Sequence, residues 1–210
     1  MNNWKQIDEE PMFAQIPLLN IINTVEHEFN DDTREKLSKS FIAFDVETTG
    51  LFPEEDVIIE LGAVKFVNGQ ITDAYGTLVN EGKPVPYEAY RINKISTEML
   101  QEQGKTAKLA YKELSEFLGD ALQGDTFIVA HNAKFDLAFL TKALEKYGYG
   151  GLIRYVDTLN FAKQQIQDLP NYKQGTLAEH FKLVNEEAHR AVTDAETCGK
   201  ICACLLAASK

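Results

Sequence analysis

Asp45 and Glu47 stand two residues apart at the end of the apolar run Phe41-Ile42-Ala43-Phe44-Asp45-Val46. In a strand, residues at that spacing project from one face, roughly 6–7 Å apart. Two carboxylates at the end of a buried strand repel one another and lose hydration, a cost that a bound cation relieves. For Asp45 alone a solvated acidic strand end competes as an explanation; for the pair it is the weaker one. Asp136 follows the short apolar run Phe127-Ile128-Val129-Ala130 and falls in the first turn of a following helix. A carboxylate there gains from the helix dipole whatever its function. It acts at a site only if its strand neighbours the first, which would set Asp136 opposite Asp45.

His189 and Asp194 complete the set. From Ala191 onward, Ala191, Asp194, Cys198, Ile201 and Leu205 share one helical face, and an aspartate on such an inward stripe needs a partner. His189 precedes that helix. Of the other histidines, His27 and His180 are incidental by position, while His131 adjoins the proposed site. Hard oxygen donors without cysteine suit Mg²⁺ or Mn²⁺ rather than a structural zinc. Two such ions about 3.5–4 Å apart can hold the attacking and leaving oxygens of a phosphoryl displacement. An imidazole, titrating near 6.5 when unperturbed, can take the proton of the attacking water.

The elements that must position these groups follow from local pattern. The run 41–46 predicts a central strand. Val57–Val67 and Ile71–Val79 are β-rich and joined by Asn68-Gly69, a strong hairpin signal, so a three-strand antiparallel meander is expected. Gly82 to Asn93, with Pro84 and Pro86, predicts a loop. Thr106 to Leu122 has a helical period, Phe127–Ala130 predicts a buried strand, and Ala133 to Tyr147 a helix. Ile153–Val156 reads as a fifth strand, and the remainder is helical, ending in Ala191–Ala208. The expected fold is α/β: a five-stranded mixed sheet, the meander plus two parallel strands, flanked by helices.

Residues 1–40 differ in character, with eight acidic and four basic residues. Pro11 and Pro17 interrupt them, and a weak helical stripe runs through Leu18, Ile21, Ile22, Val25 and Phe29. They are expected to form a partly helical extension, dispensable for chemistry, before a domain over 41–210. The 210 residues, 44% hydrophobic, suffice for one core. No apolar stretch is long enough for a membrane helix, and no signal peptide is evident, so no membrane partner is expected. Cys198, Cys202 and Cys204 suit a buried helical face rather than a disulfide framework, which points to a reducing, cytoplasmic setting. A net charge of −11 opposes nonspecific binding to nucleic acid, yet part of it belongs to a metal site if the carboxylates cluster.

The motifs Phe44-Asp45-Val46-Glu47-Thr48-Thr49-Gly50-Leu51, His131-Asn132-Ala133-Lys134-Phe135-Asp136 and His189-Arg190-Ala191-Val192-Thr193-Asp194 together resemble the DEDDh 3′–5′ exonucleases. The resemblance covers about residues 40–208 and is nearest to the epsilon-type proofreading exonucleases of bacterial DNA polymerase III. It implies an RNase H-like fold, two divalent ions, and hydrolysis from a 3′ end that releases nucleoside 5′-monophosphates. By the same resemblance, Asp45, Glu47 and Asp194 would hold the tighter ion. Asp45 would also face the second, which Asp136 would hold partly through water, and His189 would be the general base. Thr48, Thr49 and Leu51 would contact the terminal nucleotide, with Phe135 packed near it. The His-Gly pair common in the family is replaced by Ile92-Asn93-Lys94-Ile95, so Asn93 would approach the terminal sugar. A polymerase or sliding clamp would be reached through residues 1–40, where Gln15-Ile16-Pro17-Leu18-Leu19 loosely resembles a clamp-binding motif. DNA is the first expectation for substrate, RNA trimming the second, and a silent nucleic-acid-binding scaffold the third.

Overall fold

The computed structural model describes residues 20–183 and 189–208; Gln15–Leu19 and the first part of the predicted stripe lie outside them. In chain order the elements are β1 (Ile22–Glu26), α1 (Asp31–Lys39), β2 (Ser40–Thr48), β3 (Ile58–Val67), β4 (Gln70–Asn80), α2 (Tyr87–Asn93), α3 (Thr97–Gln103), β5 (Lys105–Thr106), α4 (Ala107–Leu118), β6 (Phe127–Ala130), α5 (Ala133–Lys146), β7 (Gly151–Asp157), α6 (Thr158–Gln165), α7 (Gln174–His180) and α8 (Ala191–Ala208), with a 3₁₀ turn at Gly119–Leu122. The sheet runs β1-β7-β6-β2-β3-β4-β5. The expected meander is there: β2 pairs antiparallel with β3, and β3 with β4, across Asn68 and Gly69 in left-handed backbone. The two expected parallel strands are β6, beside β2, and β7, on the far side of β6.

The sheet has seven strands, not five. One addition, β5, is two residues long and pairs with the end of β4, where the helical pattern was expected to begin at Thr106. The other, β1, corrects the predicted helical stripe over 18–29. Ile22–Glu26 pairs parallel with β7, and only Ile22 turns into the core. An edge strand with one buried residue leaves no alternation to read. The helix in this region is instead α1, opened by Asn30, whose side chain accepts from the Thr33 N–H, and it buries Leu37. The predicted loop over 82–93 ends in a helix, α2, whose N-cap is Pro86.

Alternate residues of β2 face opposite layers. Ile42, Phe44 and Val46 pack with Tyr111 and Leu114 of α4 and with Leu137, Leu140 and Leu144 of α5. Phe41 and Ala43 pack with Leu37, Phe161, Leu177, and the Ala195-Cys198-Ile201-Cys202-Leu205 stripe of α8. Asp45 and Glu47 continue this second row, which directs them toward the start of α8. Cys198 and Cys202 are buried in that helix and Cys204 is half-buried, all three as free thiols. No helix among the described residues is long and apolar enough to cross a membrane.

Candidate active site

Three strand and helix ends meet in one cleft of about 590 Å³, walled by Asp45 and Glu47 from β2, His131, Phe135 and Asp136 from the β6–α5 junction, and His189 and Asp194 from the last segment. The local geometry explains why each side chain arrives there. The β2–β3 register shifts between Glu47 and Thr48, an irregularity that ends regular pairing as soon as the second carboxylate has been presented. β6 lies parallel to β2, so the chain leaving β6 turns at Asn132, which is left-handed with φ 63°, and starts α5 beside Val46. The Val46 N–H then donates to Asp136 Oδ1 at 3.2 Å. At the third corner the His189 N–H donates to Asp194 Oδ2 at 2.8 Å, and Gln174 Nε2 donates to Asp194 Oδ1 at 3.2 Å.

Donor atoms of Glu47, His189 and Asp194 all lie within 4.8 Å of one another, a grouping that can hold a metal ion. The carboxylates are strained electrostatically without one. Burial, then the nearby charges of Asp136, Asp194, Glu47 and Glu60, push the Asp45 carboxyl well above the usual carboxylate range. Burial pushes Asp136 up to about 8, against the Val46 N–H that pulls the other way. Glu47 is raised to about 7, mainly by burial and next by Asp194 and Glu60, and is eased by a hydrogen bond from Asn93 and by Arg190. Three carboxyls held above their ordinary values at one point are the signature of a place built for positive charge. Oxygen donors plus one imidazole fit a hard divalent ion.

The remaining predicted residues sit as follows. Phe135 is half-buried in the cleft wall and packs on Phe139, with ring centroids 5.1 Å apart. His131 adjoins the carboxylates, but its Nδ1 lies 2.9 Å from Thr158 Oγ1 and the ring also bonds the Tyr172 backbone; burial lowers its pKa. Thr48 and Thr49 do not wall the cleft. The Thr48 hydroxyl donates to the Gly50 carbonyl, and the Thr49 hydroxyl bridges Asp56 and the Val57 N–H. Leu51 stands 71% exposed on the loop after β2. Asn93 is buried, its Oδ1 accepting from the Ile95 N–H while its side chain engages Glu47. Lys94, the next residue, is left-handed with φ 60°.

Several residues of the site went unread in the sequence. Lys173, Gln174, Thr176 and Glu179 wall the cleft along α7 and its N-cap. Asp157 ends β7, accepts from the Asn132 and Leu159 N–H groups, and so ties the β6–α5 turn to α6. The signal for Asp157 was there: an aspartate between an apolar strand and Thr158 is a helix-start pattern.

An RNase T-type family model, described as exonuclease, matches residues 42–202. A DNA polymerase III of PolC type from Caldanaerobacter subterraneus is 38% identical over 170 residues, covering 81% of this chain and 12% of the relative. Its counterpart from Clostridium perfringens is 33% identical and covers 86% of this chain. The chain therefore spans about 12% of the length of these curated relatives. Among solved structures, E. coli exonuclease I bound to a dT13 oligonucleotide has a TM-score of 0.69 at 15% identity, covering 79% of this chain and 40% of that one. Exonuclease X in complex with 5′-overhanging duplex DNA has a TM-score of 0.60 at 22% identity, covering 81% and 92%. The mixed sheet flanked by helices is thus the RNase H-like fold of these exonucleases, extended at both sheet edges.

Proposed function

The chain belongs to the exonuclease family, and from that premise we propose that it is a divalent-metal-dependent 3′–5′ exonuclease acting on single-stranded or frayed DNA ends. The observation that carries this reading is the convergence of Asp45, Glu47, Asp136 and Asp194 with His189 in one cleft. Asp45, Glu47 and Asp194 would hold one Mg²⁺ or Mn²⁺, and Asp45 with Asp136 a second. When bound, such ions neutralise the carboxylates, polarise the scissile phosphate and lower the pKa of a water. His189 would take a proton from the attacking water through its imidazole. Phe135, in the cleft wall, would pack near the terminal nucleotide. Leu51, exposed on the loop after β2, would meet its base, and Thr48 and Thr49 would shape the loop that carries Leu51. Asn93, through Glu47, would lie under the terminal sugar. The product would be a nucleoside 5′-monophosphate.

Relatives that are DNA polymerases and similar structures bound to DNA favour DNA over RNA. Residues 1–40 would contact a polymerase or sliding clamp in the cytoplasm. The decisive experiment supplies chelated protein with Mg²⁺ or Mn²⁺ and follows matched DNA and RNA oligonucleotides labelled at either end. Stepwise shortening from the 3′ end of DNA, dependent on metal, is expected. Full activity in excess chelator would sink the metal reading, shortening from the 5′ end the polarity, and faster loss of RNA the choice of DNA.

A further inference from the structure

Glu60 interrupts the apolar stretch Ile58-Ile59-Glu60-Leu61 in the middle of the sheet and is only 3% exposed. A carboxylate there must be paired. Arg190 Nε donates to Glu60 Oε1 at 3.0 Å and to Oε2 at 3.3 Å, and its Nη2 donates to Oε1 at 2.7 Å. The Ala191 N–H donates to Oε2 at 3.0 Å. The two residues that follow His189 are therefore fastened to β3, one by its side chain and the other by its backbone. Two positions along β3, a Cβ on Gly62 would lie 2.1 Å from the Ala191 carbonyl carbon, so strand and helix start meet backbone to backbone. His189 itself has φ +68°, a conformation that a side-chain-bearing residue keeps only where its surroundings over-determine it.

An ion pair buried only on its Glu60 side, with Arg190 half-exposed, is a poor source of stability because desolvation of the carboxylate offsets the attraction, but its forked hydrogen bonds fix geometry well. We infer that the Glu60–Arg190 pair is a positioning device for His189: it clamps the start of α8 to β3 and thereby holds the imidazole over the carboxylates. This rests on the reading of His189 as the general base. Misplacing a catalytic group by about 1 Å costs roughly 10²-fold in rate.

The test compares single-turnover rates at saturating metal for Arg190→Lys, which keeps the charge beside Glu60 but loses the fork, and for Glu60→Gln, which approaches the pair from the other side. Each is made alone and in a His189→Ala background, with melting curves and calorimetric metal titration as controls. Expected are losses of up to roughly 10²-fold in the single variants with metal affinity retained, and no further loss once His189 is gone. If either variant fails to fold, the other carries the comparison. Full-sized additional losses in the His189→Ala background would overturn the proposal, since Arg190 would then act on substrate or metal directly; so would native rates in both variants. A near-native rate for His189→Ala by itself would instead overturn the general-base reading, a result separable from the first.

Discussion

Glu47 and Glu60 lie directly opposite one another on the antiparallel β2–β3 pair. Like charges so placed destabilise a sheet unless something neutralises them. Arg190 forks onto Glu60, whereas Glu47 faces Asp194 and His189 across a gap of metal-binding size. The two carboxylates thus share a register but not the Arg190 fork, which only eases Glu47 through space, and a cation would complete the arrangement on the side of Glu47.

Metal-free protein should lose stability as pH rises. The carboxyls of Asp45, Glu47 and Asp136 have folded-state pKa values above their unfolded ones, with Glu47 at about 7 and Asp136 at about 8. The folded state therefore binds protons more tightly, and the contribution is fully present below the unfolded values of roughly 4 and lost as pH climbs through the folded ones. Melting in chelator should fall from about pH 5 through pH 8 as Glu47 and Asp136 ionise, by an amount on the order of a few kcal/mol. Divalent metal should widen the gap to the metal-free curve as pH increases, because it competes with the same protons. A metal-free curve that rises steadily over that range would contradict the burial of these groups.

Asp45→Asn should abolish turnover while raising the metal-free melting temperature at neutral pH. The amide keeps the side chain's shape and cannot ionise among the carboxyls of Asp136, Asp194, Glu47 and Glu60. Differential scanning calorimetry of both proteins in chelator checks this. A clearly lower midpoint for the variant would make Asp45 a structural residue.

His189→Ala should slow the chemical step by about 10²–10⁴. Calorimetric Mn²⁺ titration should change little, because four carboxylates remain. A large fall in metal affinity would reassign His189 as a ligand, a role its distance to Glu47 and Asp194 also permits. His131 is a poor substitute as base, since its ring is already engaged by Thr158 and the Tyr172 backbone.

Truncation should separate two parts of the first forty residues. Starting the chain at residue 20 should leave oligonucleotide hydrolysis intact. Starting it at residue 41 removes β1 and α1, including buried Ile22, Thr33 and Leu37. A single Leu37→Ala change should already cost about 2–5 kcal/mol, read from denaturant melts. A fully stable protein beginning at residue 41 would show that this layer is only appended.

The sequence displayed what regular burial imposes. The apolar run of β2, Asn68-Gly69 in the β3–β4 turn and the α8 stripe each follow from a periodicity or a turn requirement, and they bring Asp45, Glu47, Asp136 and Asp194 to one cleft. It concealed what depends on partners distant in the chain. β1 has a single inward residue and is a strand only because β7 offers it an edge. α2 was hidden by Pro84 and Pro86, although proline at a helix start is compatible with the fold of the first turn. Glu60 is legible, because a charge inside an apolar strand calls for a partner, and Arg190 beside His189 supplies it. The cleft wall from α7 had no local pattern at all.

The placement of α8 also sets a timetable. β2, with the first two carboxylates, is synthesised early, Asp136 midway, and Asp194 near the close of the matched region, while β1 waits for β7 across most of the intervening chain. Contacts of such long sequence separation form late and slowly. A ribosome-bound chain that has exposed β2 through α5 holds an unfinished carboxylate cluster, without Asp194 and without the His189 imidazole. The cluster is complete only when α8 docks on Gly62, so any activity that rests on it would wait for the fold to close.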